Sequence, residues 1–264
     1  MYFCTYFKDV MLTCTEAVVL HSVKYGDGSL IVEMLTEEYG RLSFMVRVPK
    51  TSKGRLKRQL FQPLSVLRLV FDYRQRANLQ HLRDVQVALP FSSIPFEPLK
   101  SSVSLFLAEF LYHATRGEQR NTSLYNYIAK SLEWFDGVEH SFANFHLVFM
   151  MRLTRFIGFF PNVEGGAEGD CFDLRNGRFC TSAPIHPDFL QPVEAGRIHT
   201  LMRLNYATMH LYRMSRQDRQ RIADVILHYY AIHVPLFPEL RSFDVLKEVM
   251  GAVVEKSSEV PSTD

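Results

Sequence analysis

The sequence predicts an α+β chain in two parts: a small closed β-barrel, then an all-α helical domain carrying a small irregular hairpin insert. Three observations predict it. Hydrophobic residues alternate with period two from about Thr15 to Leu89. After Pro90, Pro95 and Pro98 the period becomes that of a helix. Between Arg41 and Arg76 lie ten bases and one acid, Asp72, so this stretch carries +9 in a chain of net charge +2, leaving −7 for the remainder. A charge concentrated in this way creates a local field suited to a polyanion, of which nucleic acid is the commonest.

Size and composition are compatible with two packed parts. A chain of 264 residues, 47% hydrophobic and 22% charged, can bury substantial cores and is not generally disordered. No apolar stretch approaches the roughly 18 residues that cross a bilayer. The opening "MYFCTYFKDV" has no basic n-region before an apolar run, and Lys8 and Asp9 interrupt it. A cytoplasmic location is expected. Residues 1–11 read as a dispensable extension, with Met11 as an alternative start.

The strands follow in order. "EAVVLHSVKY" and "SLIVEMLT" are β-branched runs separated by Gly26-Asp27-Gly28, a strong turn signal. In the third run Leu42, Phe44, Val46 and Val48 share one face. A long basic loop then leads to Leu67, Leu69, Phe71 and Tyr73, alternating with Arg68, Val70 and Asp72. "LQHLRDVQVAL" closes the set. Five short strands and one long loop point to an OB-fold over residues 12–90.

Residues 91–100 read as a linker and 101–250 as the helical domain. Val103, Leu107, Phe110 and Leu111 fall on one helical face, and helical patterns continue over Ser123–Phe135 and Ser141–Phe159. The second of these is apolar nearly all round, the mark of a central buried helix. An insert at about 162–187 contains "DCFDLRNGRFC", a hairpin turning at Asn176-Gly177. Helices are expected over Pro192–Arg213 and over Ser215–His233, the latter opened by a Ser215/Asp218 variant of the capping box. A short helix after Ser242 and a disordered tail at 251–264 complete the chain.

The basic run supplies the candidate DNA-binding residues: Arg47, Lys50, Lys53, Arg55, Lys57 and Arg58, with Arg74 and Arg76 extending the track. A solvated loop is the competing reading. Against it, Phe44, Phe61, Phe71 and Tyr73 interleave with the bases, and single strands are held by stacking plus phosphate neutralisation. Alternation nevertheless favours barrel core for Phe44, Phe71 and Tyr73, leaving Tyr25 or Tyr73 as the stacking candidates.

No motif for catalysis is present. The chain has neither G-x-x-x-x-G-K-[ST] nor G-x-G-x-x-G nor H-E-x-x-H. His113, His146 and His210 read as packing or capping residues, and Asp84, Glu109 and Asp170 lack the spacing of a nuclease metal cluster. Cys171 and Cys180 with His186 make an incomplete set for structural zinc, so no metal and no cofactor are assigned. A nuclease on an OB scaffold and an RNA-binding module are the alternatives to a non-enzymatic DNA-binding protein.

"TEAVVLHSVKYGDGSLIVEMLTEEYGRLSFMVRV" resembles the opening of the RecO family of bacterial DNA repair and recombination mediators. The match runs through Tyr25-Gly26-Asp27, Leu30 to Leu35, Thr36, Gly40 and Leu42 to Val48, and continues with Gln62-Pro63. "RFIGFFPN" and "LRSFDVLKEV" resemble the family's Pro-Asn helix end and C-terminal Leu-Arg-Ser helix. The likeness spans roughly residues 12–250. Many members carry paired C-x-x-C motifs that bind zinc in the insert; this chain has only Cys171 and Cys180 there, and zinc is not carried over. The resemblance implies a cytoplasmic, nucleoid-associated protein that binds single- and double-stranded DNA and anneals complementary strands. It implies RecR, the acidic Phe-ended tail of single-stranded DNA-binding protein and, indirectly, RecA as partners. Such a tail needs an apolar cleft beside cations, and Arg152, Arg155, Arg203 and Arg241 are the candidates.

Overall fold

The computed structural model describes residues 11–48, 51, 58–164 and 166–258, with side chains through 250. The chain forms two compact units, residues 1–91 with 115–129 and residues 92–114 with 130–264.

In the first unit five strands, β1 (Met11–Tyr25), β2 (Ser29–Thr36), β3 (Gly40–Arg47), β4 (Val66–Tyr73) and β5 (Gln80–Leu89), close a barrel in the order β1-β2-β3-β5-β4. All pairs are antiparallel except β3 with β5. Closure depends on the length of β1. Met11 to Val18 pair with β4, Ala17 to Tyr25 pair with β2, and a bulge between Val19 and His21 bends the strand from one partner to the other. The period-two residues all point inward: Ala17, Val19, Leu30, Val32, Met34, Phe44, Val46, Leu67, Leu69 and Phe71 form the core. Phe44, Phe61 and Phe71 are at most 2% exposed, so these aromatics of the basic run are core and not stacking platforms. Tyr73 is half-buried against that core and packs on Tyr39, with ring centroids 4.5 Å apart.

Residues 115–129 group with the barrel, whereas the sequence-based boundary puts them in the helical domain. Polar contacts explain the difference. The Arg41 N–H donates to the Glu118 carbonyl, Thr122 Oγ1 to the Glu37 carbonyl and the Tyr125 hydroxyl to Glu16. Burial first, then Glu16 and Glu37, hold the Tyr125 phenol well above its ordinary range. Gly40 has φ +68°, and a Cβ there would sit 2.5 Å from the Gln119 carbonyl carbon. No other residue type fits that approach.

The second unit contains α1 (Pro98–Ala114), the later half of α2 (Thr122–Gly137), α3 (Phe145–Leu153), α4 (Pro192–Arg203), α5 (Arg216–His233) and α6 (Arg241–Ser258). In α3 every residue but Arg152 is buried, as its all-round apolarity predicts. Helix α3 ends earlier than Phe159, and the N–H groups of Gly158 and Phe159 both return to the Thr154 carbonyl. Helix α4 likewise ends at Arg203 instead of Arg213. Asn205 and Thr208 exchange side-chain and backbone hydrogen bonds there, giving the chain a local alternative to the helix. Ser215 and Asp218 form the expected capping box of α5. Helix α6 is longer than the short helix expected and runs to Ser258, into the segment read as a disordered tail.

The insert is a three-stranded sheet, β6 (Cys171–Asp173), β7 (Arg178–Cys180) and β8 (Phe189–Leu190), in the order β7-β6-β8. Its hairpin turns at Asn176-Gly177, where the Asp173 carboxylate accepts both backbone N–H groups of Arg175 and Asn176. Burial raises the Asp173 carboxyl, but these hydrogen bonds, with Asn176 Nδ2 and His186, hold it below its ordinary value. Cys171 and Cys180 are register partners and free thiols, and His186 Nε2 lies 3.3 Å from Asp173. Among the described residues no three His, Cys, Asp or Glu side chains converge as a metal site. No helix among them is long and apolar enough to cross a membrane.

Candidate nucleic-acid interface

The outer face of the barrel is ordered by its register. Residues directly opposite on neighbouring strands point to the same side of a sheet. Tyr25 pairs with Ser29, and Ser29 with Arg47, so an aromatic ring, a hydroxyl and a guanidinium form one cross-strand row. The next row is Val23, Ile31, Met45 and His81. Tyr25 is 56% exposed and Val23 50%, while their strand neighbours Leu30, Val32, Phe44 and Val46 fill the interior. The β1–β2 hairpin beside this face is fixed by the Val48 N–H, which donates to the Gly28 carbonyl.

A second cationic element is the turn between β4 and β5. Buried Gln80 pins it: its amide accepts from the Arg74 N–H and donates to the carbonyls of Arg74 and Ala77. With the backbone fixed, the side chains of Arg74 and Arg76 are left exposed. Phe44 lies beside Gln80, and Arg47 is three residues further along β3, roughly 10 Å at the rise of a strand. The β2–β3 face and the loops joining strands 1–2 and 4–5 are the surfaces by which OB-folds hold oligonucleotides.

The basic residues of this unit divide sharply. Arg41 is paired with Glu33 at 2.5 Å, Arg68 with Glu16 at 2.8 Å and Arg83 with Asp72 at 2.7 Å. Arg47, Arg58, Arg74 and Arg76 are exposed and have no carboxylate within 4.0 Å among the described residues. Lys50, Lys53, Arg55 and Lys57 lie outside the described residues. Sequence reasoning named Tyr25 and Arg47 separately; their shared row, and the Val23–His81 row beside it, depend on register across three strands. The Gly26-Asp27-Gly28 turn was the available signal, since a three-residue turn sets which residues of β1 and β2 face one another.

The helical arginines do not form one cluster. Arg152 Nε donates to the Leu204 carbonyl, which brings it beside Arg203 at the end of α4. The Arg155 guanidinium lies 4.1 Å from the Phe160 ring centroid. Arg241 stands elsewhere, at the start of α6, where its N–H meets Glu109. The three acids considered for a nuclease are also dispersed. Asp84 is on β5, Glu109 caps α6, and Asp170 accepts from the Ala167 N–H.

The family model for the recombination protein O N terminal matches residues 11–91, and that for its C terminal matches residues 95–242. Curated relatives named DNA repair protein RecO are similar over nearly their whole length. That of Phocaeicola vulgatus is 48% identical over 241 residues, covering 91% of this chain and 100% of its own. The Bacteroides fragilis protein is 49% identical over 240 residues, covering 90% and 99%. A Porphyromonas gingivalis protein is 31% identical over 242 residues, covering 89% and 98%.

Proposed function

This chain belongs to the RecO family and has a role in DNA repair and recombination, and from that premise we propose that it acts as a non-enzymatic mediator. It binds single- and double-stranded DNA through the barrel face and its basic loop, and anneals complementary strands. Arg47, Arg58, Arg74 and Arg76, with Lys50, Lys53, Arg55 and Lys57, neutralise phosphates. Tyr25 stacks a base beside Arg47. The observation that carries this reading is the division of the barrel's arginines, since charges not spent on internal carboxylates remain available to a polyanion. Annealing requires two strands held together with their charge screened and no reading of base edges.

The family relation supports the partners: RecR, the tail of single-stranded DNA-binding protein and, through them, RecA at gaps in a bacterial nucleoid. Arg152 donates to the Leu204 carbonyl, next in sequence to Arg203, so these two are the better pair for an acidic tail, with Arg155 and Arg241 as the remaining candidates. The test is a strand-annealing assay with the purified chain and its quadruple variant Lys53→Glu, Arg55→Glu, Lys57→Glu and Arg58→Glu. Annealing without Mg²⁺, nearly abolished in the variant, is the expected result. Unchanged annealing in a folded variant, or Mg²⁺-dependent cleavage of the strands, overturns the reading.

A further inference from the structure

Helices α5 and α6 of the second unit are each fastened to a different neighbour and bridge one another through Arg216 and Lys247, leaving a gap between them. Helix α5 is tied to α3 by the Tyr230 hydroxyl, which donates to the Met150 carbonyl at 2.7 Å. Helix α6 is tied to α1. The Glu109 carboxylate accepts from the N–H groups of Arg241 and Ser242 and from the Ser242 hydroxyl, and the Phe243 and Phe106 rings are 5.3 Å apart. The connector holds two prolines, Pro235 and Pro238, and Leu236 has φ 56° with 84% of its surface exposed. A leucine in the left-handed region is held there by its surroundings at a cost in strain.

The result is a groove of about 490 Å³. On α5 it is lined by Asp224, Leu227, His228 and Ala231, and on the other side by Phe243, Asp244 and Lys247 of α6 with Leu240 just ahead of its first residue. The α5 set has the spacing i, i+3, i+4, i+7, a stripe about two turns long, and Phe243, Asp244 and Lys247 make a shorter stripe on α6 that Leu240 extends. Two facing stripes of this kind are how an amphipathic segment is received between helices. Its apolar lining is Leu227, Ala231, Phe237, Pro238, Leu240 and Phe243. Three acids of the lining, Asp224, Glu239 and Asp244, face one lysine, Lys247. Lys247 spans the groove, with Nζ 3.4 Å from Asp224, 3.6 Å from Asp244 and 4.1 Å from the Phe243 ring centroid. Arg216 donates to the Lys247 carbonyl, and Asp188 lies 3.0 Å from His228 Nε2.

We propose that this groove docks a protein partner through a cationic amphipathic segment, with apolar side chains against its apolar lining and Lys or Arg against Asp224, Glu239 and Asp244. These acids select the sign of the partner. They disfavour an acidic tail, so the occupant differs in chemistry from the peptide assigned to Arg152 and Arg203. Lys247 occupies the cationic position while the groove is empty and gives up its carboxylates when a partner's base replaces it.

The test uses the full chain and two labelled 14-residue helical peptides with the same leucine positions, one filled with lysine and the other with glutamate. Fluorescence anisotropy without DNA measures binding to the chain and to its variant Ala231→Phe, which fills the groove from an exposed position. The lysine peptide is expected to bind, and Ala231→Phe to remove that binding. The pair Asp224→Asn with Asp244→Asn should weaken it about tenfold, and Lys247→Met should tighten it. DNA affinity, measured separately, stays unchanged in every variant and reports the fold. Three results overturn the proposal: lysine-peptide binding indifferent to both sets of variants, a groove-dependent preference for the glutamate peptide, or self-association of the chain that Ala231→Phe abolishes.

Discussion

The two units of this chain put part of their charge to different uses. In the helical unit many charged groups are consumed internally. Arg175 and His228 share Asp188, Arg197 holds Asp218, and Arg221 holds Glu194. Lys100 is fully buried, and its Nζ donates to Ser93 Oγ and to the carbonyls of Asp136 and Val138 at 2.6, 3.2 and 2.5 Å. The Asp136 carboxylate in turn accepts the N–H groups of Ser92, Ser93 and Ile94. Burial works against ionisation of Asp136, but these hydrogen bonds outweigh it and lower its pKa to about 2. In the barrel, Arg47, Arg58, Arg74 and Arg76 meet solvent instead. Charge that is spent holds a fold together, and charge that is left over is free to meet a ligand.

That contrast is open to attack from both sides, and the largest expected effect is in the helical unit. Lys100→Met takes the charged donor from the Val138 carbonyl and from Ser93 Oγ, while the Asp136 carbonyl keeps Ser93 Oγ, so it should cost about 3 kcal/mol of stability. DNA affinity of the folded fraction should not change. A variant with unaltered denaturant midpoint would show that the Lys100 contacts are incidental.

Acid should sharpen the same point. His146 is completely buried on α3, and burial first, then Arg219, lowers its pKa to about 3. The unfolded chain binds a proton at about 6.5, so between these values it takes up more protons than the folded chain. Stability therefore falls as pH drops from about 6.5 towards 3, by at most about 1.4 kcal/mol for each pH unit. His146→Leu should flatten unfolding midpoints across that window. An identical pH profile in the variant would count against a neutral buried imidazole.

The smallest effects separate residues within the barrel. Tyr25→Ala should weaken single-strand binding by about 1–3 kcal/mol if its ring stacks a base, with less effect on duplex. Arg68→Ala should leave DNA affinity unchanged, because Glu16 already occupies that guanidinium. Equal losses in the two variants would erase the distinction between spent and available charge.

Most of the fold was legible because burial imposes a period on the sequence. Alternation revealed the barrel strands, all-round apolarity revealed α3, and Ser215 with Asp218 revealed the start of α5. What escaped depends on contacts distant in sequence. Tyr125 joins the barrel through Glu16, 109 positions away, and no local pattern announces that. The premature end of α4 turns on Asn205 and Thr208, small polar residues whose competing hydrogen bonds are legible only in retrospect. The basic run pointed to the barrel unit, but spent and available arginines are alike until their carboxylate partners are placed. The α5–α6 groove left its spacing in the sequence, yet the same spacing is what any helix packed on a core displays.

The most direct test of the central claim is the salt dependence of single-strand affinity. If about five bases touch phosphate, log K falls against log salt with a slope near −3.5, at ~0.7 for each contact, and replacing Arg47, Arg74 and Arg76 by alanine flattens it by about 2. A slope near zero, or one that these three replacements leave unchanged, contradicts the account.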